Sequence, residues 1–237
     1  NNKTSRKLNF HITNYWEPSS RIERIYELLT DINDNFTIRD AQFIQNDYTS
    51  PYSKKIMKIA LPVFEKYYYL LKNEEVKLLN SMKNWDYIMN SQSYEATVYN
   101  YFLERVIYNT FHDELGERLY REYVYISSMP TSKILELFQQ FDSPWFDKKN
   151  TEGIETKEFI IFSSFRESID SLKNIFKTDK FTKWKWGELH KLNLTHAFSE
   201  NKFLKPAVTY ENLQTGGNNT TVNNTEWKYY EPFNTKV

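Results

Sequence analysis

The sequence predicts a mainly α-helical lobe with short β-strands at its two ends. Three observations lead there. Across residues 19–178, apolar and aromatic side chains recur every third or fourth position, the period of an amphipathic helix. Glycine is scarce, five in 237 residues, which suits a helical body with few tight turns. The texture then changes over residues 184–223. There a Trp-Lys-Trp-Gly turn leads into Leu189, Leu192 and Leu194, and a Gly-Gly pair runs into Thr-Thr-Val. Such a segment reads as irregular backbone and short strands, the mark of a helical chain returning to a sheet. The expected organisation is one piece, with a strand region at 1–16, a helical lobe at 19–178 and the return to the sheet at 184–237.

Leu8-Asn9-Phe10-His11-Ile12 alternates apolar and polar, the pattern of a half-buried strand, and Trp16-Glu17-Pro18 ends it. Ser19 and Ser20 stand where a helix cap belongs, before Ile22, Ile25, Tyr26, Leu28 and Leu29 on the apolar side of a first helix. Thr37 and Asp40 form a capping box with Asp in place of Glu or Gln, opening a helix with Ala41, Phe43, Ile44 and Tyr48. Ser50-Pro51 supplies the N-cap and first residue of the next helix, on which Ile56, Ile59, Ala60 and Val63 fall at helical spacing. Pro62 is expected to kink or interrupt it, because proline removes a backbone donor and crowds the preceding turn.

A short helix follows at 74–82. Ser93 then starts a long one, whose apolar face is Val98, Tyr101, Phe102, Val106, Ile107, Phe111, Leu115 and Leu119, with Gly116 expected to break or bend it. A helix at 132–141, an aromatic-anchored loop around Pro144-Trp145-Phe146, a linker-like stretch at 148–153 and a helix at 156–176 complete the body.

Composition narrows the function classes. Basic and acidic residues balance at 31 each, so no long-range field favours nucleic acid or an anionic membrane, and no basic stripe is present. An aromatic share of 17% allows a substantial core without many aliphatics. The absence of cysteine excludes disulfides and cysteine-ligated metals. No apolar run approaches the length of a membrane span. Without an initiator Met or signal peptide, and with an uncapped end, the chain reads as an excised piece of a longer polypeptide.

Several short motifs occur in order: Asn1-Asn2, Trp16-x4-Arg21, Gln45-x-Asp47-x-x-Ser50, Trp85-Asp86-x-x-Met89, Asp113-Glu114-Leu115, Trp186-Gly187-x-Leu189-His190-x5-His196, and Gly216-Gly217-x-x-x-Thr221-Val222-Asn223. Together they resemble the penicillin acylase (penicillin amidase) family, and the resemblance covers nearly the whole chain. It implies an internal fragment of the β subunit of an αββα N-terminal-nucleophile hydrolase. In that family a serine at the start of the β subunit attacks an amide carbonyl, its own α-amine serves as base, and backbone and Asn donors hold the oxyanion.

The matching register puts the oxyanion asparagine at Asn1, with Asn2 as the neighbouring alternative, and the active-site arginine at Arg21. Thr4 and Ser5 are internal and have no free amine, so the nucleophile is expected upstream, released by self-cleavage of a precursor. The whole protein is then expected to cleave a linear N-acyl amide of the penicillin, cephalosporin or acyl-homoserine-lactone type. This chain alone is expected to be inactive. Its partners would be a small-molecule N-acyl amide and the rest of the precursor, with no nucleic acid and no membrane span, in a periplasmic or secreted setting. No cofactor is expected: some family members bind calcium partly through an Asp six residues before the Trp, and Phe10 stands there here, which cannot ligate a hard cation. The rival reading is a non-catalytic helical binding or scaffold lobe of a parent that lacks the nucleophile.

Other chemistry-bearing residues have plainer expectations. Gln45 and Asp47 read either as a polar lining of the acyl pocket or as a structural pair tying helix to loop, and the second is expected. His112 with Asp113, Glu114 and Glu117 has the residue types of a metal or acid–base site, but the alternating signs of Glu117, Arg118, Arg121 and Glu122 fit a solvated face. His190 and His196 lack a third ligand and are expected to bond buried backbone where strand meets loop. Gly216-Gly217 lacks the Gly-Lys-Ser/Thr ending of a phosphate loop, so a turn of close backbone approach is expected.

Overall fold

The computed structural model describes residues 13, 15–32, 35–126, 128–149 and 151–229. The strand expected at Leu8 to Ile12, the candidates Asn1 and Asn2, and Phe10 lie outside them. The described residues form a mainly helical lobe with a short two-stranded ribbon. In order come α1 (Ser20–Thr30), α2 (Ile38–Gln45), α3 (Pro51–Lys66), α4 (Asn73–Lys83), α5 (Tyr94–Tyr125), α6 (Ser128–Gln139), α7 (Lys157–Phe176), the single turn α8 (Trp186–Leu189), β1 (Lys191–Thr195), α9 (Lys205–Val208) and β2 (Thr209–Gln214).

The core lies where α3, α5, α6 and α7 meet. Phe64 of α3 stacks on Phe165 of α7 at 4.1 Å between ring centroids and meets the edge of Phe102 of α5 at 5.3 Å. Both are geometries in which aromatic pairs attract beyond their buried area. Ile56, Ala60, Val106, Ile107, Ile161 and Ile169 fill the space around them.

Four helix starts follow the capping residues. Thr37 Oγ1 accepts from the Asp40 amide at 3.3 Å while the Thr37 amide donates back to Asp40 at 2.8 Å. Ser50, Ser93 and Thr156 each accept from the amide three residues on. The first helix departs from this. Ser19 makes no cap bond; its hydroxyl donates to Glu23 instead. Ser20 is the first residue inside α1, and its hydroxyl points into the protein.

Pro62 neither kinks nor ends α3, which runs through it to Lys66. Pro62 and Lys58, whose carbonyl loses its partner, both lie on the exposed side. Water can satisfy that carbonyl, while Ile56, Ala60, Val63 and Phe64 keep the other side buried. Gly116 does interrupt α5, with φ 67° and ψ 163°. The break shifts the buried face, so that Tyr120 and Val124 are buried beyond it and Leu119, expected in the core, is exposed. The two flanks of the expected linker are tied together: the Lys148 amide donates to Glu155 at 2.9 Å and the Glu155 amide to Asp147 at 3.1 Å.

The return to a sheet is, among the described residues, an antiparallel pair of β1 and β2, with Lys191 opposite Gln214 and Thr195 opposite Thr209.

Candidate functional site

Arg21 sits in the first turn of α1, 37% exposed, with Nη1 3.3 Å from Glu17 Oε2. Glu17 also lines a polar cleft of about 220 Å³, whose other walls are Pro18, Ser128, Thr131, Asn219, Asn224 and Glu226. The cleft thus lies between the turn before α1, the start of α6 and the loop that follows β2.

That loop is held by close backbone approach. A Cβ on Gly216 would stand 2.6 Å from the Met89 carbonyl and 3.0 Å from the Tyr48 ring. Gly217, at φ 78°, donates its amide to the same Met89 carbonyl at 2.7 Å, and its own carbonyl receives the Trp186 indole N–H at 2.9 Å. Met89 in turn donates to the Tyr48 carbonyl, and Ser50 to that of Tyr87. The Trp85-Asp86-x-x-Met89 and Asp47-x-x-Ser50 motifs, the Trp-Gly turn and the Gly-Gly loop thus converge on one knot of backbone.

Inside the knot runs a buried chain of hydrogen bonds. The Ser53 amide donates to Ser50 Oγ at 3.0 Å, and Ser50 Oγ lies 2.7 Å from Thr220 Oγ1. The Thr220 hydroxyl donates to Asn218 Oδ1 at 2.8 Å; Asn218 Nδ2 donates to Asn100 Oδ1 at 2.9 Å; Asn100 Nδ2 ends the chain on the Ala96 carbonyl at 2.8 Å. Each donor needs its acceptor, since an unpaired buried polar group is costly, and bonds in series polarise one another. Ser20 Oγ joins by donating to the Thr220 carbonyl at 3.0 Å.

Helix α1 meets the lobe mostly through polar contacts. Arg24 grips Asp47 with two parallel bonds of 3.0 and 2.9 Å, and Lys55 reaches Glu23 at 2.6 Å. The Asp47 hydrogen bonds raise the Arg24 pKa further above its ordinary value. Asp47 thus ties helix to loop as expected, whereas Gln45 is exposed.

The acidic cluster near His112 is a paired surface. Glu117 holds His112 and Arg121, and Lys149 pairs with Glu114. No group of three or more His, Asp or Glu among the described residues converges on a metal position. His190 is buried, stacked on Trp186 at 4.6 Å, and its carbonyl accepts from the Thr215 amide at 3.1 Å. Burial pushes its imidazole down to about 4 against backbone hydrogen bonds at Glu226 and Thr215, so the ring is neutral and structural. His196 differs from expectation: it is exposed, and its ring nitrogen caps the turn at Ala197–Glu200 by accepting from Phe198.

A separate apolar cavity of about 380 Å³ lies between Tyr15, Trp16, Phe111, Tyr123, Met129 and Trp145, with the paired Lys133 and Glu136 also in its wall. Asn100, Asn218 and Thr220 were not singled out by sequence reasoning, and Ser20 was named only as a helix cap. Asn218 and Thr220 occupy the unspecified positions of the Gly-Gly-x-x-x-Thr-Val-Asn motif, and their only signal was their place inside it.

The sequence profile of the penicillin amidase family matches residues 1–237. Among curated relatives, the acyl-homoserine lactone acylase QuiP of Pseudomonas syringae pv. syringae (strain B728a) is 24% identical over 251 residues, covering 95% of this chain and 29% of the relative. QuiP of Pseudomonas putida (strain KT2440) is 25% identical over 239 residues, again covering 95% and 29%. The chain therefore spans under a third of the length of these relatives. No helix among the described residues is long and apolar enough to cross a membrane.

Proposed function

The chain belongs to the penicillin amidase family, and from that premise we propose that it is part of an N-acyl amide hydrolase whose nucleophile lies elsewhere in the same precursor. A serine freed at the start of the β subunit attacks the acyl carbonyl, and its α-amine takes the hydroxyl proton. The tetrahedral oxyanion is held by donors that include the Asn1 side-chain amide. The α-ammonium returns the proton to the departing amine, and water then hydrolyses the acyl-serine ester. Arg21 supplies a cation beside Glu17, which lines the polar cleft. Its single long contact with Glu17 leaves guanidinium donors for a polar leaving group or the oxyanion.

The observation that carries this reading is the convergence of four family motifs on one buried knot against the start of the helix that bears Arg21. The activity for which these relatives are named favours an acyl-homoserine lactone as the substrate class. The remainder of the precursor is the natural cover for apolar side chains left in the open, such as Ile38 at 80% and Phe203 at 95% exposure. An exported, periplasmic setting is the one the family resemblance suggests.

The test is amine release from N-acyl substrates, aryl-acetyl through long-chain acyl-homoserine lactone, by the full-length precursor. Processing into two chains, with turnover lowered at least about tenfold in Asn1→Ala, is the expected result. Turnover indifferent to Asn1→Ala moves the oxyanion role to Asn2. A precursor that neither processes nor turns over any substrate leaves a non-catalytic scaffold lobe instead.

A further inference from the structure

We propose that Ser20 and Thr220 are positioning residues for Arg21: a buried hydrogen bond between them sets where the guanidinium stands. The proposal rests on the reading of Arg21 as an active-site cation.

The argument starts from how little else holds this end of α1. The residues α1 buries are Ser20 and Leu28. Tyr26 and Leu29, which the apolar period assigns to the core, are 49% and 41% exposed. Apolar packing therefore does not fix the helix. Its middle is tied by Glu23 to Lys55 and by Arg24 to Asp47. At the Arg21 end, the buried tie is Ser20 Oγ to the Thr220 carbonyl.

Successive helical residues point about 100° apart, so turning Ser20 inward fixes the direction of its neighbour Arg21. The acceptor is itself immobilised. The Thr220 amide and hydroxyl both donate to Asn218 Oδ1, its Oγ1 meets Ser50 at the cap of α3, and Asn218 is bound to Asn100 on α5. The residue between them, Asn219, lines the polar cleft together with Glu17, the ion-pair partner of Arg21. One hydrogen-bonded loop thus both lines the cleft and holds the helix whose arginine pairs with the cleft residue Glu17. Small misplacements of a group that meets the reacting atoms carry large rate penalties, which gives such a tie a kinetic signature.

The experiment is a double-mutant cycle on kcat/KM in the processed full-length protein, with Ser20→Ala, Arg21→Ala and the pair, alongside melting temperatures. Ser20→Ala is expected to lower kcat/KM about tenfold when Arg21 is present and less than about twofold when it is absent, with the same melting shift in both backgrounds. Thr220→Val, which removes the hydroxyl that anchors the loop, is expected to reproduce the loss, and Thr220→Ser to restore activity. Additive losses from Ser20→Ala and Arg21→Ala, or activity that merely follows the amount of folded protein, overturn the positioning role while leaving Arg21 in place. An Arg21→Ala enzyme with full activity overturns the reading of Arg21 and this proposal with it.

Discussion

Arg24 and Asp47 face each other as a planar, two-pronged pair, with Nε 3.0 Å from one carboxylate oxygen and Nη2 2.9 Å from the other. The Asp47 side chain is only 8% exposed and also accepts from the Thr49 amide at 3.0 Å and its hydroxyl at 3.1 Å. Its carbonyl receives the Asn223 amide at 3.0 Å. One residue therefore joins α1, the start of α3 and the Gly-Gly loop.

Replacing Asp47 with Ala should accordingly loosen three elements together. The lost bonds are charge-assisted, and Arg24 would be left partly buried without its partner, so a loss of about 2 kcal/mol is expected. Asp47→Asn keeps the turn contacts and should lose less. Denaturant midpoints of the two variants measure the difference. Equal stability of Asp47→Ala and the parent would show that the pair contributes nothing net.

Two glycines with positive φ separate strain from space. At Gly116 an added Cβ meets nothing within 4 Å, so Gly116→Ala carries only backbone strain, about 1–3 kcal/mol for so sparsely populated a conformation. At Gly217 the same Cβ stands 2.5 Å from the Asn223 carbonyl and 2.6 Å from Thr225 Oγ1. Gly217→Ala must therefore both strain and displace the loop, and is expected to be the more destabilising of the two by thermal melting. The reverse order would mean that the loop yields easily.

The features legible in the sequence were those that a few neighbouring residues decide. The Thr37–Asp40 box, the Ser50-Pro51 start, the helix start at Ser93 and the break at Gly116 each depend on contacts within one turn. The illegible features depend on what lies across the fold. Ser20 looks like a cap, yet its partner is Thr220, 200 residues away. Pro62 looks like a breaker, yet it falls on the solvent side, where its missing bond is tolerated. His190 and His196 belong to one motif, but only the first is covered by Trp186 and Trp227. In the site, Arg21 was named from its register with Trp16, while Asn218 and Thr220, which organise its surroundings, were hidden in unspecified positions between conspicuous ones.

Burial gives His190 a distinct acid sensitivity. Its folded pKa of about 4 lies below the ordinary 6.5, so the unfolded chain binds more protons between these values. The stability that His190 contributes is thus full above about pH 6.5 and is lost as pH falls towards about 4, a change on the order of 3 kcal/mol. Relative to the parent, His190→Gln should therefore be less stable at pH 7.5 than at pH 4.5, read as the difference in denaturation midpoint between the two proteins at each pH. Titration of the ring near 6.5 by NMR would remove the basis of this expectation.

Glu104 of α5 produces the opposite trend. It is buried among Tyr101, Tyr120 and Tyr229, one carboxylate oxygen has no partner, and burial pushes its carboxyl up to about 7 even though Arg105 lies 3.4 Å away and pulls it down. A folded pKa above the ordinary 4.5 means that the folded state holds the extra proton. The neutral acid is accommodated at low pH. Stability is then lost as pH rises from about 4.5 through about 7, because the charge must be either desolvated or neutralised. Glu104→Gln keeps the shape of the neutral acid and cannot ionise. At pH 8 it should be more stable than the parent, by an amount on the order of 3 kcal/mol, and at pH 4.5 the two should be nearly equal. Since His190 weakens the fold on the acid side and Glu104 on the alkaline side, the parent's stability should peak at mildly acidic pH, and Glu104→Gln should move that peak upward. A Glu104→Gln protein that is less stable than the parent at pH 8 would mean that the carboxylate is ionised there and held by Arg105.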